Sequence, residues 1–216
     1  MAASEEVAAQ NPDIVLFQET PSRPEIEKLS KKIFGEEGSC VVGPDAAIMA
    51  RGHLVEEPGS RATNDFVSAT WTGARGRSLR IVCLRLLPPC MRIDLFNPSA
   101  WQDFAMNRAS RRQEVAGIAM KLDQQKFEPD LLGGDFNSPP DRDVLGPITN
   151  HLSDTFRQVG VGYGATCVNP FPCMVRIDQI WHSEVLNATR AWVVKTENSD
   201  HRMLVADFRW AIGLTR

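Results

Sequence analysis

Leu131-Leu132-Gly133-Gly134-Asp135-Phe136-Asn137-Ser138-Pro139-Pro140 is the stretch on which the reading of this chain turns. Two leucines open it as a short buried strand, and the paired prolines close it in a turn. Asp135 and Asn137 stand two apart, so in an extended chain their side chains lie on one side. A carboxylate beside an amide can hold a water or a phosphate oxygen; an Asp/Asn turn with glycines for geometry is the plainer reading. Gly133 and Gly134 carry no side chains, so another chain segment or a substrate can approach the backbone there.

Other apolar runs in the chain also border on polar groups. Ile14-Val15-Leu16-Phe17 runs into Gln18-Glu19. Magnesium is commonly held by one or two carboxylates plus waters and substrate phosphates, so a lone glutamate at a sheet mouth can begin such a site. A solvated strand end is the alternative. Ser199-Asp200-His201 immediately precedes the apolar stretch Met203–Phe208. Adjacent side chains diverge, so Asp200 and His201 do not simply pair; one can meet a metal or water while the other meets substrate. A histidine in acid–base work commonly needs a carboxylate to fix its tautomer. Asp178, after Arg176-Ile177, is available for that; an exposed position on an open sheet face is its other reading.

Between these points the pattern is mixed. Strands are expected over Ile14–Phe17, Ala46–Val55, Phe66–Trp71, Ser78–Leu87, Val175–Ile180, Ala191–Thr196 and Met203–Phe208. Helices are expected over Pro24–Phe34, stopped by Gly35, and over Asn107–Phe127, where Val115, Ile118, Ala119 and Leu122 repeat at three and four. Val144–Val159 reads as a broken helix. Many strands with helices outside them favour an α+β fold of packed sheets over a simple parallel sheet.

Composition excludes several classes. The 216 residues are 43% hydrophobic and 24% charged, which is ordinary for a globular domain. The net charge of −3 gives no global steering toward nucleic acid. No apolar run approaches the ~20 residues that cross a bilayer. The five cysteines (Cys40, Cys83, Cys90, Cys167 and Cys173) show no metal-ligand spacing. With no basic residue in the first ten and an odd cysteine count, reduced thiols in a cytoplasmic setting are expected. Arg108, Arg111 and Arg112 read as a solvated basic cluster opening the long helix, or as contacts to an anionic substrate.

Taken in order, NPDIVLFQET (11–20), LLGGDFNSPP (131–140), RIDQIWHS (176–183) and SDHRMLVADF (199–208) resemble the endonuclease/exonuclease/phosphatase superfamily. The resemblance implies a four-layer α/β/β/α sandwich of two mainly antiparallel sheets, and metal-dependent hydrolysis of phosphoester bonds. It implies Mg²⁺, or Mn²⁺ in its place, held by Glu19 and Asp200. Asp135 would align or deprotonate the attacking water, and Asn137 would hold that water or a phosphate oxygen. Asp178 would orient His201, which would bind the scissile phosphate or act as base. Thr166, in GYGATC, resembles a family threonine near the site. Substrate contacts are expected from Arg85, Thr166 and Arg176.

Two features depart from the family pattern. The usual first strand, with its asparagine, has no counterpart before Ala2–Gln10, so residues 1–216 are expected to form one N-terminally incomplete domain. Where many relatives place a histidine, or sometimes a tyrosine, near the end of the strand IVCLRLLPP (81–89), this chain has Arg85. Its planar fork can clamp a phosphate; an exposed strand arginine is the alternative. Two functions follow for comparison: a phosphoesterase acting on nucleic acid, a lipid headgroup or a small phosphodiester, and a degenerate, non-catalytic member that only binds.

Overall fold

A computed structural model describes residues 2–58, 66–90, 94–168, 175–197 and 199–213. In chain order the elements are α1 (Ala2–Ala8), β1 (Ile14–Gln18), α2 (Arg23–Phe34), β2 (Gly38–Val42), β3 (Ala46–Arg51), β4 (His53–Glu56), β5 (Phe66–Thr72), β6 (Ser78–Arg85), α3 (Pro98–Gln124), β7 (Leu131–Asp135), α4 (Arg142–Thr149), β8 (Ser153–Asp154), α5 (Thr155–Val159), β9 (Asp178–His182), β10 (Leu186–Val194) and β11 (Met203–Trp210). One sheet runs β1-β3-β2, a second runs β4-β5-β6-β7-β9-β8, and β10-β11 form a two-stranded ribbon.

The period-two alternation of the strands divides their side chains among three cores, which fixes the layering. Leu79, Ile81 and Cys83 of β6 and Leu131 of β7 meet Ile48, Leu16 and Ile14 of the smaller sheet, with Phe208 and Trp210 of the ribbon closing the same core. Val82, Leu84 and Leu132 point the other way, onto Val115, Ile118 and Leu122 of α3 and Leu145 and Ile148 of α4. Val15 and Phe17 of β1 face Ile26, Leu29, Ile33 and Phe34 of α2. The layers therefore run helix, sheet, sheet, helix, an α+β sandwich as expected. Both faces of β1 are covered, which explains why its sequence reads as an unbroken apolar run.

The pairing is antiparallel except between β6 and β7, which are parallel. A parallel pair needs a long crossover, and α3 supplies it. That helix begins at Pro98, nine positions ahead of the expected start. Asn97 caps it by accepting from the Ser99 N–H at 3.0 Å, and Pro98 sits where a missing N–H costs nothing. Arg108, Arg111 and Arg112 consequently lie in mid-helix. Arg111 is buried and donates to the Leu87 carbonyl at 2.8 Å, while Arg108 pairs with Asp141 at 3.1 Å.

Two expected elements are subdivided. Ala46–Val55 breaks at Gly52 into β3 and β4, which belong to different sheets. Val144–Val159 is α4, β8 and α5, with Asp154 capping the last by accepting from the Arg157 N–H. Cys40, Cys83 and Cys90 are free thiols; Cys173 lies outside the described residues. Burial pushes the Cys83 thiol up to about 12, so it packs as a small hydrophobe. No described helix is long and apolar enough to cross a membrane.

Candidate active site

The register of the larger sheet places three charged residues side by side. Arg85 ends β6 opposite Asp135, which ends β7, and Asp135 in turn lies opposite Asp178, which begins β9. Gln18 and Ala46 pair at the end of β1 and the start of β3, so Glu19 and Asp45 come to the corresponding end of the smaller sheet. His201 arrives from the segment ahead of β11, through a bridge to Cys167. Six segments distant in sequence thus converge at one end of the sandwich.

The glycine pair makes this convergence possible. A Cβ on Gly133 would lie 2.6 Å from the Leu16 side chain of the facing sheet, and one on Gly134 only 1.9 Å from the Leu84 carbonyl oxygen. Gly134 also has φ +138°, which side chains rarely adopt. What approaches the backbone here is the protein itself: the opposite sheet and the neighbouring strand.

Asp135 is buried and heavily tied. Its Oδ1 accepts the Asn137 backbone N–H at 2.8 Å, and its Oδ2 accepts the Asn137 side-chain amide at 2.9 Å. Asn137 sits in the left-handed region at φ 49°, which an asparagine tolerates. Its amide also donates to the Leu86 carbonyl at 2.8 Å. Both amide donors are therefore spent within the protein. A phosphate oxygen would need one of them, whereas a water could still donate to the amide oxygen, so of the two roles expected for Asn137 the geometry suits holding the water.

His201 turns Nδ1 to Asp178, 2.9 Å from Oδ2 and 3.2 Å from Oδ1. The hydrogen bond to Asp178 outweighs burial and pushes the imidazole up to about 9. Asp135, Asp178 and His201 each offer a ligand atom within 4.8 Å of the others. Burial, with Asp178 beside it, pushes the Asp135 carboxyl up to about 6; hydrogen bonding and nearby His201 and Arg85 oppose this.

Arg85 is gripped by carboxylates. Its Nη2 lies 2.6 Å from Glu19 Oε1, its Nη1 2.7 Å from Asp45 Oδ2, and its Nε 3.8 Å from Asp135 Oδ2. It is neither an exposed strand arginine nor free to meet an anion as it stands. Glu19 holds φ 52°, an unusual conformation for a glutamate and of the kind that collects at functional positions. Asp200 is exposed, and its backbone carbonyl accepts the Val168 N–H at 2.7 Å.

The family model of the Endonuclease/Exonuclease/phosphatase family matches residues 2–201, a span that contains every residue just described. The chain belongs to this family. Among solved structures, an endonuclease/exonuclease/phosphatase from Bacteroides vulgatus superposes with TM-score 0.70 at 18% identity, over 97% of this chain and 89% of that one. The Bacteroides thetaiotaomicron mannosyl-6-phosphatase Bt3783 gives 0.67 at 14%, over 96% and 89%. D. rerio TDP2, complexed with a single-strand DNA product, gives 0.64 at 16%, over 96% and 90%. Such identities establish a shared fold. No curated protein sequence matches the chain.

Two residues of this Endonuclease/Exonuclease/phosphatase chain, expected to touch substrate, are committed elsewhere. Arg176 makes a bidentate pair with Asp154, at 2.9 and 2.6 Å, and lies over the Phe156 ring at 5.2 Å. A largely buried guanidinium with its fork already filled has nothing to offer a phosphate. Thr166 is wholly buried, and its hydroxyl accepts the N–H groups of Ile177 and Asp178 at 3.1 and 3.0 Å. It holds the segment that presents Asp178.

Sequence reasoning passed over Asp45. The signal was present: Gly43-Pro44-Asp45 is the turn between β2 and β3, and an antiparallel β1–β3 pair brings it level with Glu19. Asp154, the partner of Arg176, carried no comparable signal.

Proposed function

We propose that the chain is a divalent-metal-dependent hydrolase of phosphoester bonds, of the nuclease or phosphodiesterase type, with its chemistry at the Asp135–Asp178–His201 cluster. The observation that carries this reading is the fixed orientation of His201: Nδ1 lies on Asp178, which leaves Nε2 to donate to a phosphate oxygen beside Asp135. Asp135 accepts a proton from the attacking water, and Asn137, with its donors spent, aligns that water through its amide oxygen.

The donor set fits magnesium or manganese. The site offers only oxygen donors apart from His201, and its carboxylates (Glu19, Asp45, Asp135, Asp178 and Asp200) outnumber its cations, Arg85 and His201. Glu19 and Asp200 would hold the ion. When bound, such an ion neutralises phosphate charge and favours in-line attack by water.

The substrate class is drawn from the fold's known hosts. Relatives of this shape include a mannosyl-6-phosphatase and TDP2 with single-strand DNA, so a sugar phosphate and a single-stranded oligonucleotide are the first substrates to test. Turnover of either, or of bis(p-nitrophenyl) phosphate, that stops with EDTA and returns with Mg²⁺ supports the reading. The three-carboxylate grip on Arg85 favours one rival, a non-catalytic binding module whose metal position is filled by its own arginine. Saturable substrate binding without turnover, in the presence of Mg²⁺, would favour that rival.

A further inference from the structure

The divalent ion proposed above and Arg85 make claims on the same carboxylate. Glu19 Oε1 is held by Arg85 Nη2 at 2.6 Å. Asp45 holds Nη1 at 2.7 Å on the other corner of the guanidinium. The third donor, Nε, is buried and has no hydrogen-bond partner among the described residues; Asp135 Oδ2 lies 3.8 Å away. The guanidinium is therefore anchored at one corner, engaged by an exposed glutamate at the second, and unsatisfied at Nε.

We infer that Arg85 competes with the divalent ion for Glu19, and that an anionic substrate resolves the competition by taking the Nε–Nη2 edge, so that metal and phosphate bind with positive coupling. The inference rests on the metal reading given above. A carboxylate cannot sit 2.6 Å from a guanidinium nitrogen and also coordinate a cation without bringing two positive charges together. Turning Glu19 to the ion releases Nη2. Nε and Nη2 then form a pair of parallel donors with no acceptor, the arrangement that a phosphate fills bidentately. Asp45 keeps Nη1 throughout and so prevents the arginine from leaving the site. Each ligand removes the obstacle to the other, and linkage requires the effect to be mutual. A histidine or tyrosine at this position would hold no such tether, because neither carries a permanent charge with three separate donor nitrogens.

The test is Mn²⁺ binding by the full chain, read by calorimetry or by the free-Mn²⁺ spin-resonance signal, without and with saturating methylphosphonate, whose C–P bond is not a phosphoester. Wild type is expected to bind Mn²⁺ at least fivefold more tightly with the anion present. Arg85→Met should bind Mn²⁺ at least fivefold more tightly than wild type without the anion, and should respond to the anion by less than twofold. Arg85→Lys keeps a charge for Glu19 but lacks the planar edge, so it should bind Mn²⁺ as weakly as wild type and lose the coupling. Equal Mn²⁺ affinity in wild type with and without methylphosphonate overturns the inference alone, even if Arg85→Met fails to fold. Absence of saturable Mn²⁺ binding under every condition overturns the metal reading and the inference with it.

Discussion

The hydroxyl of Thr166 accepts the backbone N–H of Asp178 at 3.0 Å, and of Ile177 at 3.1 Å, from a wholly buried position. Asp178 in turn holds His201. A buried threonine therefore sets the imidazole at two removes. Thr166→Val preserves shape and strands two buried donors, at about 1–3 kcal/mol each. The expected result is a fall in kcat on the order of 10²-fold with KM nearly unchanged, because a misplaced group costs rate more than affinity. Thr166→Ser should restore most of the activity. Steady-state kinetics on the folded variants checks this; a rise in KM alone would return Thr166 to the substrate.

Arg176 and Asp154 form a largely buried bidentate pair, with side chains 12% and 5% exposed. Removing one partner leaves the other uncompensated, so Asp154→Asn is expected to lose about 3–5 kcal/mol in urea unfolding. The helix cap is retained, since the asparagine oxygen can accept from the Arg157 N–H as Asp154 does, so the loss reports the ion pair. Arg176→Lys should lower stability while leaving KM unchanged. An increase in KM with stability retained would show Arg176 reaching the substrate.

Gly134 and Gly117 make a matched pair of opposite sign. A Cβ at Gly134 meets the Leu84 carbonyl at 1.9 Å in a positive-φ conformation, while one at Gly117, inside α3, meets nothing within 4 Å. Gly134→Ala is expected to destabilise by more than about 3 kcal/mol or to prevent folding. Gly117→Ala is expected to stabilise by about 0.5–1 kcal/mol, as the helix loses less chain entropy. Denaturant midpoints measure both.

His182 gives a pH dependence of stability. Burial holds its imidazole below the usual value, against a smaller opposing pull from Asp154, and its Nδ1 is 2.8 Å from the Thr155 hydroxyl. The folded state therefore resists protonation that the unfolded chain accepts near pH ~6.5. The contribution is complete above that pH and is lost as pH falls below it. Unfolding free energies at pH 8 and pH 5 should converge for His182→Gln more than for wild type. An equal acid dependence in the two proteins would remove His182 as the cause.

Most strands, the packing of sheets between helices and the residues that converge at the candidate site were legible from local pattern, whereas β2 (Gly38–Val42), opened by a glycine and a serine, was not. Asp135 and Asn137 announce themselves in LLGGDFNSPP, and His201 beside Asp200 ahead of a strand does the same. Contacts between distant segments were not legible. Nothing near Arg176 marks Asp154, and nothing near Arg85 marks Asp45, because the first pair exists only once β8 meets β9 and the second only once β6 meets the β2–β3 turn. The helix α3 begins ahead of the expected Asn107 because Asn97-Pro98 is a capping signal set apart from the hydrophobic repeat that begins near Val115. In the sequence Gly133 and Gly134 admit either another chain segment or a substrate, and the fold decides for the first, with Leu16 and Leu84 as the neighbours.

The proposed role of Asp135 in metal-assisted phosphoester hydrolysis stands or falls on one comparison: turnover of bis(p-nitrophenyl) phosphate by wild type and by Asp135→Asn, each with Mg²⁺ and with EDTA, on proteins matched for thermal unfolding. Wild type should turn over only with Mg²⁺, and Asp135→Asn should lose about 10²–10⁴-fold in kcat, the range a positioned acid–base group contributes. Wild-type turnover indifferent to EDTA, no turnover at all, or an Asp135→Asn variant as fast as wild type would contradict it.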